Sequence, residues 1–339
     1  MDDQPKESKK APASSGLRKI LEDQWASSDG RWRIAGLAGA TALIGALYWE
    51  NLKHFTFVWS NDDNYSHGWL VAPLSLFFAN QAAERTRTSA SKTAEGQADG
   101  VWIGLVLLAI AMAGRLITVF LPIGLVADGS MIVALAGAIA LIFGRSTLRR
   151  YAFPIGFLVF MIPLPVALYT MLANPLQLIV SRVASGVMTT AGIPVLCEGN
   201  MMTLPGDIRM FVAEACSGMR QLTGFLALTA AVAYLSGKPN WYRVVLVASA
   251  IPVAMVANIA RVIVTGLVMY YVDPNYAQGA WHTAEGMALM LGGLALLQLE
   301  MTVLNALSDV VSGGKPQSKS TTETTGADNR RGVVHGAQA

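Results

Sequence analysis

Long apolar runs separated by short basic loops constrain this chain more than any other feature. Residues 101–121 carry one charged side chain, Arg115, and residues 244–272 carry one, Arg261. A run of about 20 apolar residues is long enough to cross the hydrocarbon core of a bilayer as a helix. Within that medium only helices and closed barrels satisfy every backbone polar group, and runs of this length select the helix. Composition agrees, with 53% hydrophobic and 14% charged residues, where soluble domains carry about 25% charged. The expected fold class is all-α: a polytopic integral membrane protein of about eight transmembrane helices. An extracytoplasmic amphipathic helix and a short β-like segment complete it.

Taken in order, residues 1–30 are rich in Lys, Ser, Asp and Pro and read as a disordered tail with a short helix over 17–25. No cleavable signal is expected before the first apolar run, since residues 1–33 are polar. The membrane domain is expected over 31–307, with spans at 34–49, 67–80, 101–121, 126–143, 151–172, 217–235, 242–272 and 282–307. Residues 51–66 read as a loop and 84–100 as a polar linker. Pro154, Pro163 and Pro165 mark kinks in the fifth span. Residues 174–192 place Leu176, Ile179, Val183 and Val187 on one side with Gln177 and Arg182 interspersed, the pattern of a helix lying on the membrane surface. Residues 193–212 are β-like, with turn signals at Gly199-Asn200 and Pro205-Gly206-Asp207. The Ser/Thr/Gly-rich tail, 308–339, reads as disordered.

With both tails cytoplasmic, 19 of the 25 Lys and Arg fall in cytoplasmic segments, and every loop obeys the positive-inside bias. The small net charge of +3 gives no reason to expect a nucleic-acid partner. Two cysteines, Cys197 and Cys216, are too few for a disulfide framework or a multi-cysteine metal site, and no metal or cofactor is expected.

This topology gathers polar residues at the outer face. Glu214-Ala215-Cys216-Ser217-Gly218-Met219-Arg220 leads into the sixth span, and Trp281-His282 opens the eighth. The 62–67 stretch, with Tyr65, Ser66 and His67, lies on the same side. Asn258 and Arg261, three apart on one helix face, interrupt the seventh, and an intramembrane arginine is a site candidate by default. A cysteine just before a helix gains from the positive end of the dipole, and a nearby guanidinium adds to it; both favour the nucleophilic thiolate. His282 suits proton transfer, and Arg261 suits a thiolate or oxyanion. Each residue also has a plainer use. Cys216 packs, His282 anchors at the interface beside Trp281, and Arg261 neutralises Glu285. A Cys197–Cys216 disulfide would consume the thiol.

Ala215-Cys216-Ser217-Gly218 with Arg220, Asn258-Ile259-Ala260-Arg261, and His282 followed by Gly286 resemble motifs of the exosortase/archaeosortase family of membrane cysteine transpeptidases. Asp63-Asn64-Tyr65-Ser66-His67-Gly68 and Ile162-Pro163-Leu164-Pro165 resemble its N-terminal and central regions, and His282 its bacterial branch. The resemblance covers about 59–299. It implies cleavage of secreted proteins at a C-terminal sorting signal, made of a Pro-Glu-Pro-like motif, a transmembrane helix and a basic cluster. It implies a thioester acyl-enzyme at the outer face of a bacterial inner membrane, with membrane lipid as the other partner. Cys216 is then nucleophile, Arg261 its thiolate or oxyanion partner and His282 the acid/base. Asn258, Arg220, Tyr65, Ser66 and His67 position or contact substrate. Rival expectations are a membrane acyl or lipid transferase using His282 or His67, a transporter with Asn258 and Arg261 on its path, and a non-enzymatic part of an exopolysaccharide export system.

Overall fold

The computed structural model describes residues 16–87, 97–121, 123–212, 219–273 and 280–311. They form an all-α polytopic bundle carrying one small antiparallel sheet. Five of its helices are long and apolar enough to cross a membrane, and they include residues 100–120, 124–143, 166–190, 240–271 and 291–308.

The short helix expected over 17–25 is present, and a second helix begins at Ser28, within the stretch expected to be disordered. Helix α1 (Leu17–Ala26) ends where Ser27 turns the chain and caps α2 (Ser28–Leu47), its hydroxyl accepting from Gly30 N at 3.0 Å. The Leu17 amide donates to Asn80 Oδ1 at 2.9 Å and ties α1 to α4 (Gly68–Arg87). The loop expected over 51–66 is instead mostly helix α3 (Trp49–Asn61). Tyr48, Leu52, Phe55 and Trp59 recur at helical spacing and enter one core cluster, with Tyr48 and Phe55 fully buried. That stripe drives the helix, and the polar residues between its members disguise it.

Helices α5 (Gln97–Phe120) and α6 (Gly124–Phe143) form the closest pair in the bundle. Small residues allow it: a Cβ on Gly104 would sit 2.6 Å from Leu141 N, and one on Gly100 would meet Gly144. Membrane helices associate through such close contacts because lipid supplies no hydrophobic drive between them.

The fifth expected span is not one helix. Helix α7 (Arg145–Phe157) tightens into a 3₁₀ turn (Leu158–Met161), and residues 162–165 leave helical structure before α8 (Val166–Thr190). Pro163 and Pro165 remove two amide donors within three residues, which breaks the helix rather than kinking it. The separate surface helix expected over 174–192 is the greater part of α8, continuous through Pro175. Its length and apolarity suffice to cross a membrane, and its small polar residues pack against protein. Ile179, Val183 and Val187 are exposed, while Gln177, Ser181 and Ser185 are buried. Apolar side chains outward and small polar ones inward is the arrangement of a lipid-facing helix.

Residues 193–212 do form strands: β1 (Leu196–Glu198), β2 (Met201–Leu204) and β3 (Ile208–Phe211), an antiparallel meander in the order β1-β2-β3. Gly199, at φ 67°, makes the first turn as expected. Ser181 Oγ donates to Gly199 O at 2.8 Å and Ser185 Oγ to Val195 O at 3.3 Å, fastening the sheet to α8. Its inner side chains, Met202, Leu204 and Met210, join Val262 and Met269 in one core cluster.

The remaining helices are α9 (Met219–Leu235), α10 (Asn240–Tyr271) and α11 (Ala280–Val311), in place of the expected sixth, seventh and eighth spans.

Candidate active site

The 62–67 stretch is a built corner. Asp62 Oδ1 accepts from Asn64 N at 2.9 Å and starts a 3₁₀ turn (Asp63–Tyr65). Trp59 Nε1 donates to Met161 O at 3.0 Å, and the Tyr65 hydroxyl reaches Leu164 O at 3.5 Å. Two stretches that stood out in the sequence, 63–68 and 162–165, therefore clamp one another. Gly68 is needed here because an added Cβ would overlap the Trp59 indole. Burial pushes the Tyr65 phenol above its ordinary pKa, so it stays a neutral donor. Burial pulls His67 below its ordinary value, partly opposed by the backbone of Phe160 and Asn64. Ser66 is exposed and bonds back to Asp63 O at 3.1 Å. The turn also contacts α9, the helix that follows Cys216.

Cys216 lies outside the described residues, and the side chains of Arg220 and His282 are likewise not described, although their positions in α9 and α11 are. Helix registry still places those positions. Helices α9 and α10 are joined by residues 236–239 and pack antiparallel, Ala233 clustering with Tyr242 and Leu246, Phe225 with Ala250 and Ala254. Continued upward, this brings Met219, the first residue of α9, level with Asn258 to within about a turn. Asn258 is buried, Arg261 is half-buried one turn on, and Thr265 Oγ1 donates to Arg261 O at 2.9 Å.

Helices α10 and α11 also run antiparallel. Ser249 Oγ donates to Glu300 Oε2 at 2.7 Å, and Leu246 clusters with Leu304. The same registry sets position 282 opposite Val268, two turns or about 10 Å beyond Arg261. Arg261 Cβ tilts toward the start of α10, away from that level. Asn258 and the start of α9 thus lie at about one level, with Arg261 one turn on and position 282 about two turns further toward the end of α10. Cys197, in β1, is a free thiol whose Sγ lies 3.6 Å from Gly199 O.

Beside the corner opens a cavity of about 780 Å³. Its walls come from α3, the 3₁₀ turn, the last turns of α5, the first of α6 and residues 163–170. Asp128 is buried against it and accepts from Asn51 Nδ2 at 2.7 Å. Arg115 faces it from α5, its guanidinium 5.4 Å from the Tyr48 ring centroid.

Compared with known families, residues 59–299 match the model of the transmembrane exosortases, more than half of the chain. The chain belongs to the transmembrane exosortase family. No curated protein gives a significant match, and no solved structure does. Tyr65 lines this cavity, which none of the sequence motifs marked. The signal was present: Asp128 is the one charged residue between 124 and 143, and an ionisable group inside a span marks a site by default.

Proposed function

We propose that this exosortase-family protein is a membrane cysteine transpeptidase. It cleaves secreted proteins at a C-terminal sorting signal bearing a Pro-Glu-Pro-like motif, at the outer face of the bacterial inner membrane, with both termini cytoplasmic. Cys216 thiolate attacks the scissile carbonyl carbon, and Arg261 holds the oxyanion. The C–N bond then breaks as His282 protonates the leaving amine, and a thioester remains. An acceptor nucleophile attacks that thioester, loses its proton to His282, and releases the thiolate. Asn258 and Arg220 position these groups, and Tyr65, Ser66 and His67 contact substrate or shape its entry.

The observation that carries this reading is the registry of α9 on α10. Met219 lies level with Asn258, one turn from Arg261, and Cys216 is three residues before Met219, at most about 11 Å of extended chain. The offset of about 10 Å between Arg261 and position 282 fits a substrate held between them, with the oxyanion partner and proton carrier on different sides.

The test is processing in cells of a tagged secreted protein that carries the signal, followed by immunoblotting. Cys216→Ala and Arg261→Ala should accumulate full-length precursor, while Cys197→Ser should process normally. Continued processing by Cys216→Ala would refute the cysteine mechanism and favour a transferase chemistry built on histidine.

A further inference from the structure

The 780 Å³ cavity is the size of a ligand site; Arg115 and the Asp128 carboxylate act on one another electrostatically there but form no ion pair within 4.0 Å. Each of its three carboxylates is engaged. Glu50 pairs with Lys53 at 2.8 Å, Asp62 caps the Asn64 amide, and Asp128 accepts from Asn51. Arg115 is different. Among the described residues it has no carboxylate within 4.0 Å and makes one long hydrogen bond, Nη2 to Leu47 O at 3.5 Å. Stacking over Tyr48 uses the face of the guanidinium and leaves most of its five N–H donors at the edge. An arginine within an apolar span is costly unless something anionic or wet meets it. The wall shared by Tyr65, Pro163, Pro165 and Tyr169 is aromatic and apolar, the surface on which extended, proline-containing peptide docks.

We infer that this cavity is the acidic-peptide subsite of the enzyme, with Arg115 taking a glutamate carboxylate and the Tyr65–Tyr169 wall taking the apolar residues beside it. The assignment rests on the peptide-cleaving reading above and deepens it, giving the glutamate of the sorting motif a place at the corner that contacts α9. A lipid phosphate would also satisfy Arg115. A peptide is favoured because the carboxylate position and the aromatic wall lie in one cavity against the turn that touches α9.

Binding without turnover tests it. Full-length protein in detergent is titrated against fluorescent peptides containing Pro-Glu-Pro or Pro-Gln-Pro, read by anisotropy. The glutamate peptide should bind about 10- to 100-fold more tightly, the range for hydrogen bonds to charged groups. Arg115→Gln should erase that preference, and Arg115→Glu should shift it toward a Pro-Lys-Pro peptide, a gain that misfolding would not produce. Equal affinity of the wild-type protein for the glutamate and glutamine peptides would overturn the assignment, as would a preference that survives Arg115→Gln. So would Arg115-dependent binding of phosphatidylglycerol with no preference among peptides, which would give the cavity to a lipid headgroup. The two proposals fail separately. Loss of peptide preference beside Cys216-dependent processing removes only the subsite, and processing by Cys216→Ala beside an intact preference removes only the reaction.

Discussion

Gly68→Ala is a one-carbon test of the corner. A Cβ there would overlap Nε1, Cδ1 and Cε2 of Trp59. The indole has little freedom to retreat. It stacks on Phe55 at 5.8 Å, meets Trp69 edge-on at 5.2 Å, and donates to Met161 O at 3.0 Å. Overpacking of this kind costs about 1–3 kcal/mol. If the ring moves, the hydrogen bond to Met161 is lost as well, adding about 1 kcal/mol. A total of about 2–4 kcal/mol is expected. It should appear as a lowered thermal transition of the detergent-solubilised protein, with altered tryptophan fluorescence. Trp59→Phe leaves a smaller ring with no bond to Met161 holding it in place and should recover part of the loss in the double variant, so the two changes are coupled rather than additive. A Gly68→Ala protein with wild-type transition and fluorescence would refute this packing, and simple additivity with Trp59→Phe would show that glycine serves another purpose.

Two further perturbations test neighbouring contacts. Asn51→Leu strands the buried Asp128 carboxylate and should lower stability by about 1–3 kcal/mol; Asn51→Leu/Asp128→Leu should recover most of it, because removing both partners leaves nothing unsatisfied. No recovery in the double variant would mean that Asp128 has a structural duty beyond Asn51. His67 has a folded-state pKa below its unfolded value, so the folded state favours neutral imidazole. Its contribution is present above about pH 6.5 and is lost as pH falls through the depressed value. Thermal transitions at pH 5 and 7.5 should differ more for wild type than for His67→Gln, and equal differences would refute the assignment.

The sequence was most legible where chemistry and periodicity coincided. All-α membrane architecture, the α5–α6 pair, the short strands at 196–211 and the glycine turn at 199 follow from run length and turn residues. Helix α3 was not legible because Glu50, Asn51, Lys53 and His54 lie between the residues that bury it. Helix α8 was taken for a separate surface helix because an apolar stripe faces lipid whether a helix lies on a bilayer or crosses it. Deciding between them needs the partner of the other face, here Ser181 and Ser185 bonded to the sheet. Of the candidate site, Asn258 and Arg261 could be paired from spacing. The joining of 63–68 to 162–165 could not, since the bonds from Trp59 and Tyr65 cross about 100 residues.

The small sheet explains why a lipid-facing bundle carries strands at all. Tilted helices fix side chains at levels set by their turns, but a segment between two helices can wander. Here the chain leaves α8, folds back along it through Ser181 and Ser185, and buries Val212 in the same cluster as Val262, the neighbour of Arg261. It resumes as α9 level with Asn258. Residue 212 and helix α9, the described elements on either side of residues 213–218, are therefore both packed on helix α10. Hydrophobic burial supplies one anchor and helix packing the other, so the sheet and the α9–α10 pair hold one level of the bundle together.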